Sequence, residues 1–130
     1  MNKQDYIQYW QKGAKSDWEA SKTLFEKGHY LQSLFFAHLV LEKLLEAHWV
    51  QDNADDIPPR IHRLKSLKDK TQLDLSEDEI RILDDMELFQ MEGRYPDYQY
   101  TISQLCTQQF TQSIQERVEE LKNSLLNKLQ

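Results

Sequence analysis

The chain has 130 residues, enough for one domain with a buried core, and its few glycines and prolines allow long helices. Its formal net charge of −6 argues against generic binding to duplex DNA or anionic membranes, because both depend on surplus positive charge. The chain has a single cysteine, Cys106, which excludes an intrachain disulfide and a multi-cysteine metal site. The sequence shows no signal peptide and no apolar run long enough to span a membrane. Together these features predict a cytoplasmic protein.

Two long helices are predicted in the first half of the chain. The first runs from about Asp5 to Lys27, with Asn2 as its candidate cap, and Gly28 provides a stop because glycine adopts the left-handed conformation that ends many helices. Its apolar stripe follows three- and four-residue steps and consists of Tyr6, Trp10, Ala14, Trp18, Ser21 and Phe25. The second helix, Tyr30 to Gln51, is the most apolar segment, so we expect it to lie at the centre of the bundle.

Two shorter helices are predicted next. The turn-rich loop from Asp52 to Pro59 contains two adjacent prolines that cannot continue a helix. A short helix is then expected from Ile61 to about Lys70. Ser76 and Glu79 form a capping box, which predicts a fourth helix that runs to about Glu92.

The last part of the chain is predicted to form a loop and one long helix. The segment from Arg94 to Tyr100 is rich in tyrosine and contains a proline, which favours a loop or an extended piece. Thr101 and Gln104 can form another capping box that starts a helix to about Leu129. No segment alternates as a half-buried strand does. We therefore expect an all-α, up-and-down bundle of about five helices in one domain, residues 1–130.

Short motifs along nearly the whole chain resemble those of one protein family. In chain order they are Trp10, Ala14, Asp17 and Ala20; Gly28-His29-Tyr30; Phe36 to Lys43; His62-Arg63-Leu64 with Leu67; and Arg94-Tyr95-Pro96-Asp97. Together they resemble the HEPN family (higher eukaryotes and prokaryotes nucleotide-binding domain). The resemblance implies a helical bundle that usually forms homodimers. It also implies a nucleotide- or RNA-linked role and a small nucleotidyltransferase as partner.

One departure from the family pattern bears on catalysis. HEPN members that cleave RNA carry an arginine and a histidine separated by four to six residues, which act on the scissile phosphate and its proton transfers. Here the corresponding positions after Arg94 are Gln99, Tyr100 and Thr101. We therefore expect a non-catalytic module without a cofactor. The alternative is a divergent, metal-independent, toxin-like ribonuclease in which the fold brings Arg94 and His62 together.

Two segments supply the candidate nucleotide-binding residues, which are Arg94, Tyr95, Asp97, His62 and Arg63. An arginine can bind phosphate through two N–H groups, and a tyrosine ring can stack on a base. Cations cluster around His62 on an otherwise acidic chain, which suits a phosphate but is also typical of a solvated helix face. Arg94 has a structural alternative too, since it could pair with Asp17 or Glu42.

The predicted second helix also carries a polar face formed by His38, Glu42 and Lys43. His38 and Glu42 lie one turn apart on the apolar stripe, where a buried carboxylate is costly unless it is paired. These residues could line a ligand pocket. Alternatively, Glu42 holds a buried partner and His38 is a hydrogen-bonded core residue. Two such ligands fall short of a metal site, so none is predicted.

Overall fold

The structure is a computed structural model that describes residues 1–130 and contains helices but no strands. The α-helices are α1 (Lys3–Glu26), α2 (Tyr30–Asp52), α3 (Leu64–Lys68), α4 (Glu77–Met86), α5 (Pro96–Leu105) and α6 (Gln108–Asn127), and a 3-10 turn, Glu87–Phe89, follows α4. The predicted all-α bundle is confirmed, with six α-helices where about five were expected. None of them combines the length and the apolar character that a membrane span requires.

Helices α1 and α2 form an antiparallel hairpin whose ends follow the predicted caps. The Asn2 side chain accepts a hydrogen bond from the Asp5 amide at 2.9 Å, and the Asp5 carboxylate accepts one from the Asn2 amide at 3.1 Å. Gly28 ends α1 with φ of +83°, where a side chain would be strained. The chain then turns within Lys27–His29 and enters α2, so the first two predicted helices are confirmed within a few residues.

Helix α2 is the central element, as its apolar composition predicts. Its fully buried side chains include Leu34, Val40, Leu41, Leu44 and Leu45. They belong to one core cluster to which α1, α3, α4, α5 and α6 also contribute. Because neighbours cover α2 on several sides, its burial is not confined to one stripe.

Helix α6 packs on both members of the hairpin. Its Gln115 amide donates to the Ser33 hydroxyl at 2.9 Å, and near its other end the Leu125 carbonyl lies 2.8 Å from Nε2 of His48. These contacts show that α6 runs in the same direction as α2. Ser21 and Ser33 exchange hydroxyl-to-carbonyl bonds of 2.7 and 2.8 Å beneath Gln115, so a buried polar cluster joins α1, α2 and α6.

The segment 53–63 connects α2 to α3 without regular structure and is tied to the start of α1. The Lys3 ammonium donates to the carbonyls of Val50 and Asn53, each at 2.8 Å. It also pairs with the Asp56 carboxylate at 2.7 Å. The segment is therefore fastened across the first turn of α1, and this placement shapes a cavity beside Glu42.

Several predicted boundaries in the second half of the chain are wrong. Helix α3 covers only Leu64–Lys68, and α4 ends at Met86 and continues as a single 3-10 turn, not to Glu92. The expected loop from Arg94 to Tyr100 contains the first half of α5, because Pro96 occupies the first helical turn, where its missing N–H costs nothing.

The predicted start of the last helix at Thr101 is also wrong. Thr101 lies inside α5, and its hydroxyl donates to the Asp97 carbonyl one turn earlier at 3.0 Å. The cap that the structure uses is Thr107, whose hydroxyl accepts from the Phe110 amide at 3.2 Å and starts α6. The expected single long helix is thus two helices separated at Cys106 and Thr107.

Candidate functional site

His62 is held between two carboxylates at the end of the 53–63 segment. Its Nδ1 lies 2.9 Å from Oε1 of Glu42, a buried residue of α2, and its Nε2 lies 3.2 Å from Oε2 of Glu92. The hydrogen bond to Glu42 raises the pKa of His62 and favours the imidazolium, which can donate from both nitrogens. Glu42 is therefore paired, as the structural interpretation required, but its partner is an exposed histidine and not the expected buried group.

A shallow depression of about 270 Å³ lies on the Glu92 side of His62. It is lined by His62, Arg63, Glu87, Gln90, Glu92, Gly93 and Arg94. Neither arginine forms an ion pair with a carboxylate. The Glu87 carboxylate instead accepts from the Leu64 amide at 2.6 Å, which fixes the start of α3 beside the depression.

Arg94 is oriented by an aromatic ring. Its guanidinium carbon lies 4.3 Å from the centre of the Tyr98 ring, and its Nε makes only a long contact of 3.4 Å to the Gln90 carbonyl. The Tyr98 hydroxyl donates to the Leu88 carbonyl at 2.9 Å, so the ring is itself anchored. The terminal nitrogens of Arg94 remain available to an anion, and the predicted alternatives of pairing with Asp17 or Glu42 are not observed.

The structure brings together three of the five predicted nucleotide-binding residues, His62, Arg63 and Arg94. Tyr95 and Asp97 do not line the depression. They lie at the start of α5, where Tyr95 is 81% exposed. A role for these two residues in binding stays a prediction.

The polar face of α2 divides into three separate contacts. Lys43 pairs with Asp17 of α1 at 2.6 Å, and Glu42 pairs with His62. His38 is a core residue that is only 1% exposed, and neither of its ring nitrogens has a well-formed hydrogen bond. Burial and the charge of His62 lower the pKa of His38 to about 4, which keeps the ring neutral.

A cavity of about 310 Å³ on the other side of His62 was not predicted. Aromatic side chains of α1, carboxylates of α2 and the 53–63 segment surround it. The lining includes Tyr6, Tyr9, Trp10, Glu42, Glu46, Pro58, Pro59, Arg60 and His62. The signals that could have revealed it are the spacing of the three aromatic residues on one helix face and that of Glu46, one turn after Glu42.

Two polar groups of this cavity lack partners. The indole N–H of Trp10 is buried without a hydrogen-bond acceptor. Glu46 makes no ion pair, in contrast to Asp56, which pairs with Lys3. Burial, with a further contribution from the charge of Glu42, raises the pKa of Glu46 to about 8. A buried N–H without an acceptor is costly in a folded protein, and together with the unpaired carboxyl of Glu46 it marks the cavity as a place where a ligand would gain hydrogen bonds.

The comparison with protein families matches the HEPN domain over residues 7–129, nearly the whole chain. The chain belongs to the HEPN family. No curated protein and no solved structure matches it. Membership confirms the resemblance seen in the sequence motifs and relates this HEPN domain in general terms to nucleotide- or RNA-linked modules.

In this HEPN domain, the fold brings an arginine and a histidine to one surface although they lie far apart in the sequence. Arg94 and His62 line the same depression, although His62 precedes α4 in the sequence and Arg94 follows it. However, both nitrogens of His62 face carboxylates, so the imidazolium has no lone pair with which to accept a proton. The arrangement suits the binding of an anion better than proton abstraction. No three histidine, cysteine or carboxylate side chains are grouped so as to hold a metal ion.

Proposed function

We propose that this HEPN domain is a non-catalytic module that binds a phosphate group of a nucleotide or an RNA through Arg63, Arg94 and His62. One observation carries the proposal: two arginines without carboxylate partners line one depression on a chain whose net charge is −6. Arginines that have no ion pair keep guanidinium N–H groups free for a phosphate, and the raised pKa of His62 favours a further charged donor beside them, although Glu87 and Glu92 line the same depression.

The contacts around the depression suggest how a phosphate would bind. The Glu92 side chain is 56% exposed, so a phosphate oxygen can displace it from Nε2 of His62 at little cost. Glu42 stays on Nδ1 and maintains the charge of the ring. Because Tyr98 already orients the Arg94 guanidinium, less side-chain entropy is lost when that residue binds.

Titration calorimetry with a panel of nucleoside monophosphates tests this assignment. Arg94→Ala should weaken binding by about tenfold or more, because charge-assisted hydrogen bonds are roughly twice as strong as neutral ones. Arg81→Ala is the matched control, since Arg81 is an exposed arginine of α4 that pairs with Asp78 at 3.0 Å and does not line the depression. Equal binding by folded Arg94→Ala and wild type would show that the site is wrongly assigned.

A second candidate function is a divergent ribonuclease, which the shared depression of Arg94 and His62 favours. Because His62 is held between carboxylates and the family's arginine–histidine spacing is absent, we expect weak or no RNA cleavage by the purified protein. Robust, metal-independent cleavage that His62→Ala abolishes would establish the enzyme instead. Arg81→Ala again serves as the control, because it should leave any genuine activity unchanged.

We further propose that the protein forms a homodimer. The short helix α5 and its flanking residues expose three large apolar or aromatic side chains, Tyr95, Tyr100 and Leu105, of which Tyr100 is 69% exposed. Exposed aromatic side chains are enriched in protein interfaces. Sedimentation equilibrium at micromolar concentrations should therefore report a dimer. A monomer over the whole concentration range would refute this proposal.

A small nucleotidyltransferase is the proposed protein partner. This proposal rests on HEPN membership, which is shown over residues 7–129, and on the partner that the family resemblance implies. Co-expression with a nucleotidyltransferase encoded beside the gene should yield a complex that survives gel filtration. Separate elution of the two proteins at micromolar concentrations would count against it.

A further inference from the structure

The aromatic cavity and the basic depression lie side by side and share His62 as a lining residue. Arg60 lines the cavity, and Arg63 and Arg94 line the depression, so each of the two spaces has at least one arginine in its wall. A ligand whose phosphate occupies the depression would therefore place its remaining part next to the cavity. The cavity volume of about 310 Å³ is enough for a flat ring system.

The walls of the cavity suit an aromatic ring. Tyr9 and Trp10 lie three and four positions after Tyr6 on α1, so both neighbour Tyr6 on one side of that helix. The rings of Tyr9 and Trp10 meet edge to face with centres 5.2 Å apart. Pro58 and Pro59 add rigid apolar surface from the 53–63 segment. Stacking of a base on such side chains contributes about 1–3 kcal/mol.

The polar groups of the cavity distinguish one base from another. Glu42 offers a carboxylate oxygen, whereas Glu46, which has no partner of its own and keeps its proton, offers one acceptor oxygen and one O–H donor. The Trp10 indole offers a donor that lacks an acceptor. A base with an exocyclic amine supplies the missing N–H, and its ring nitrogens or carbonyl accept from the indole. Uracil has no exocyclic amine, so N3–H is the only donor on its pairing edge.

We propose that this cavity is a base subsite that selects nucleotides whose base carries an exocyclic amine over those whose base does not. The inference rests on the proposed phosphate site, because His62 is what joins the two spaces. Glu46 is the specificity-determining residue and accepts from the amine. Trp10 donates its indole N–H to the edge of the base, Tyr6 and Tyr9 offer their rings for stacking, and Arg63 and Arg94 hold the phosphate.

The experiment compares ligands that differ in one group. GMP and IMP share ribose, phosphate and purine ring, and only GMP has the 2-amino group. Wild-type protein should bind GMP about tenfold more tightly than IMP in titration calorimetry, since a correctly paired base edge contributes roughly 1–3 kcal/mol. AMP should likewise bind more tightly than UMP. Glu46→Leu should reduce the GMP-to-IMP ratio to within about twofold, because an apolar side chain cannot accept from the amine.

Two further variants separate the subsites. Arg94→Ala should weaken GMP and IMP equally and leave their ratio unchanged. Trp10→Phe keeps an aromatic ring in the cavity wall but removes the N–H, so it should weaken both ligands while the variant stays folded. If Glu46→Leu does not fold, the base subsite is still tested by the ratio of GMP to IMP affinity in the wild type and by the effect of Trp10→Phe.

The outcomes distinguish this inference from the proposed function. If GMP and IMP bind equally well, in an Arg94-dependent manner, and Trp10→Phe has no effect, the base subsite is wrong and the phosphate site stands. If guanosine binds better than inosine and Arg94→Ala changes nothing, the base subsite stands and the phosphate site is wrong. If no nucleotide or nucleoside binds, both are overturned.

Discussion

Glu46→Gln should change the pH dependence of stability in a direction that the structure fixes. The pKa of Glu46 is raised from its ordinary value of 4.5 to about 8 by burial and by Glu42. Between these pH values the folded protein keeps a proton that the unfolded chain has released. The free energy of unfolding therefore falls as pH rises through this range, because the folded state binds more protons than the unfolded state.

The size of the effect follows from the shift. One pKa unit corresponds to about 1.36 kcal/mol, so about three pH units would cost roughly 4 kcal/mol as an upper limit. Glu46 is only partly buried, and Lys43 and His62 oppose the shift. We therefore expect about 1–2 kcal/mol once solvent screening is included. Glutamine cannot ionise, so Glu46→Gln should exceed wild type in stability by this amount near pH 8, with the difference shrinking towards pH 5.

Urea unfolding at several pH values between about 5 and 8 measures this difference. Other groups with shifted pKa values, such as His38 and Glu87, affect both proteins and cancel when the two profiles are subtracted. Glu119→Gln, on the exposed face of α6, is the control and should leave the profile unchanged. A stability difference between Glu46→Gln and wild type that is the same at both ends of the range would refute the reasoning.

Two local substitutions test the helix ends. Gly28→Ala should lower the free energy of unfolding by about 1–2 kcal/mol, because φ is +83° and the space around the position is open, so backbone strain alone decides the cost. Ser76→Ala should cost about 1 kcal/mol, because Ser76 accepts from the Glu79 amide at 3.1 Å as the cap of α4. Urea unfolding measures both, and unchanged midpoints would contradict the assigned roles of the turn and the cap.

The parts of the fold that the sequence predicts well depend on local chemistry. Asn2 and Gly28 delimit α1 by hydrogen bonds and backbone conformation within a few residues, so their effect is visible without tertiary contacts. The start of α6 is different, because Thr101 and Thr107 both fit a cap. Thr101 lies inside α5, because that helix starts at Pro96 and the Tyr98 hydroxyl anchors it to the Leu88 carbonyl. The contact between Tyr98 and Leu88 cannot be read from the sequence pattern.

The candidate site shows the same division. The family motifs identified His62, Arg63 and Arg94, and the structure places all three on one depression. The aromatic cavity depends on Lys3 fastening the 53–63 segment across α1, which is an interaction between distant parts of the chain. Glu46 is therefore not among the site residues predicted from the sequence, although it is the unpaired carboxyl of that cavity.

The α1–α2 hairpin is synthesised before α6, and this order affects folding during synthesis. Ser21 and Ser33 are only 12 residues apart, whereas Gln115 reaches Ser21 across 94 residues. Loop closure costs grow with separation, so the α1–α2 hairpin can close long before α6 exists. Until then the apolar side of α2 that α6 covers is open to other chains. A chain ending at Thr107 should therefore aggregate where the full chain stays dispersed in light scattering.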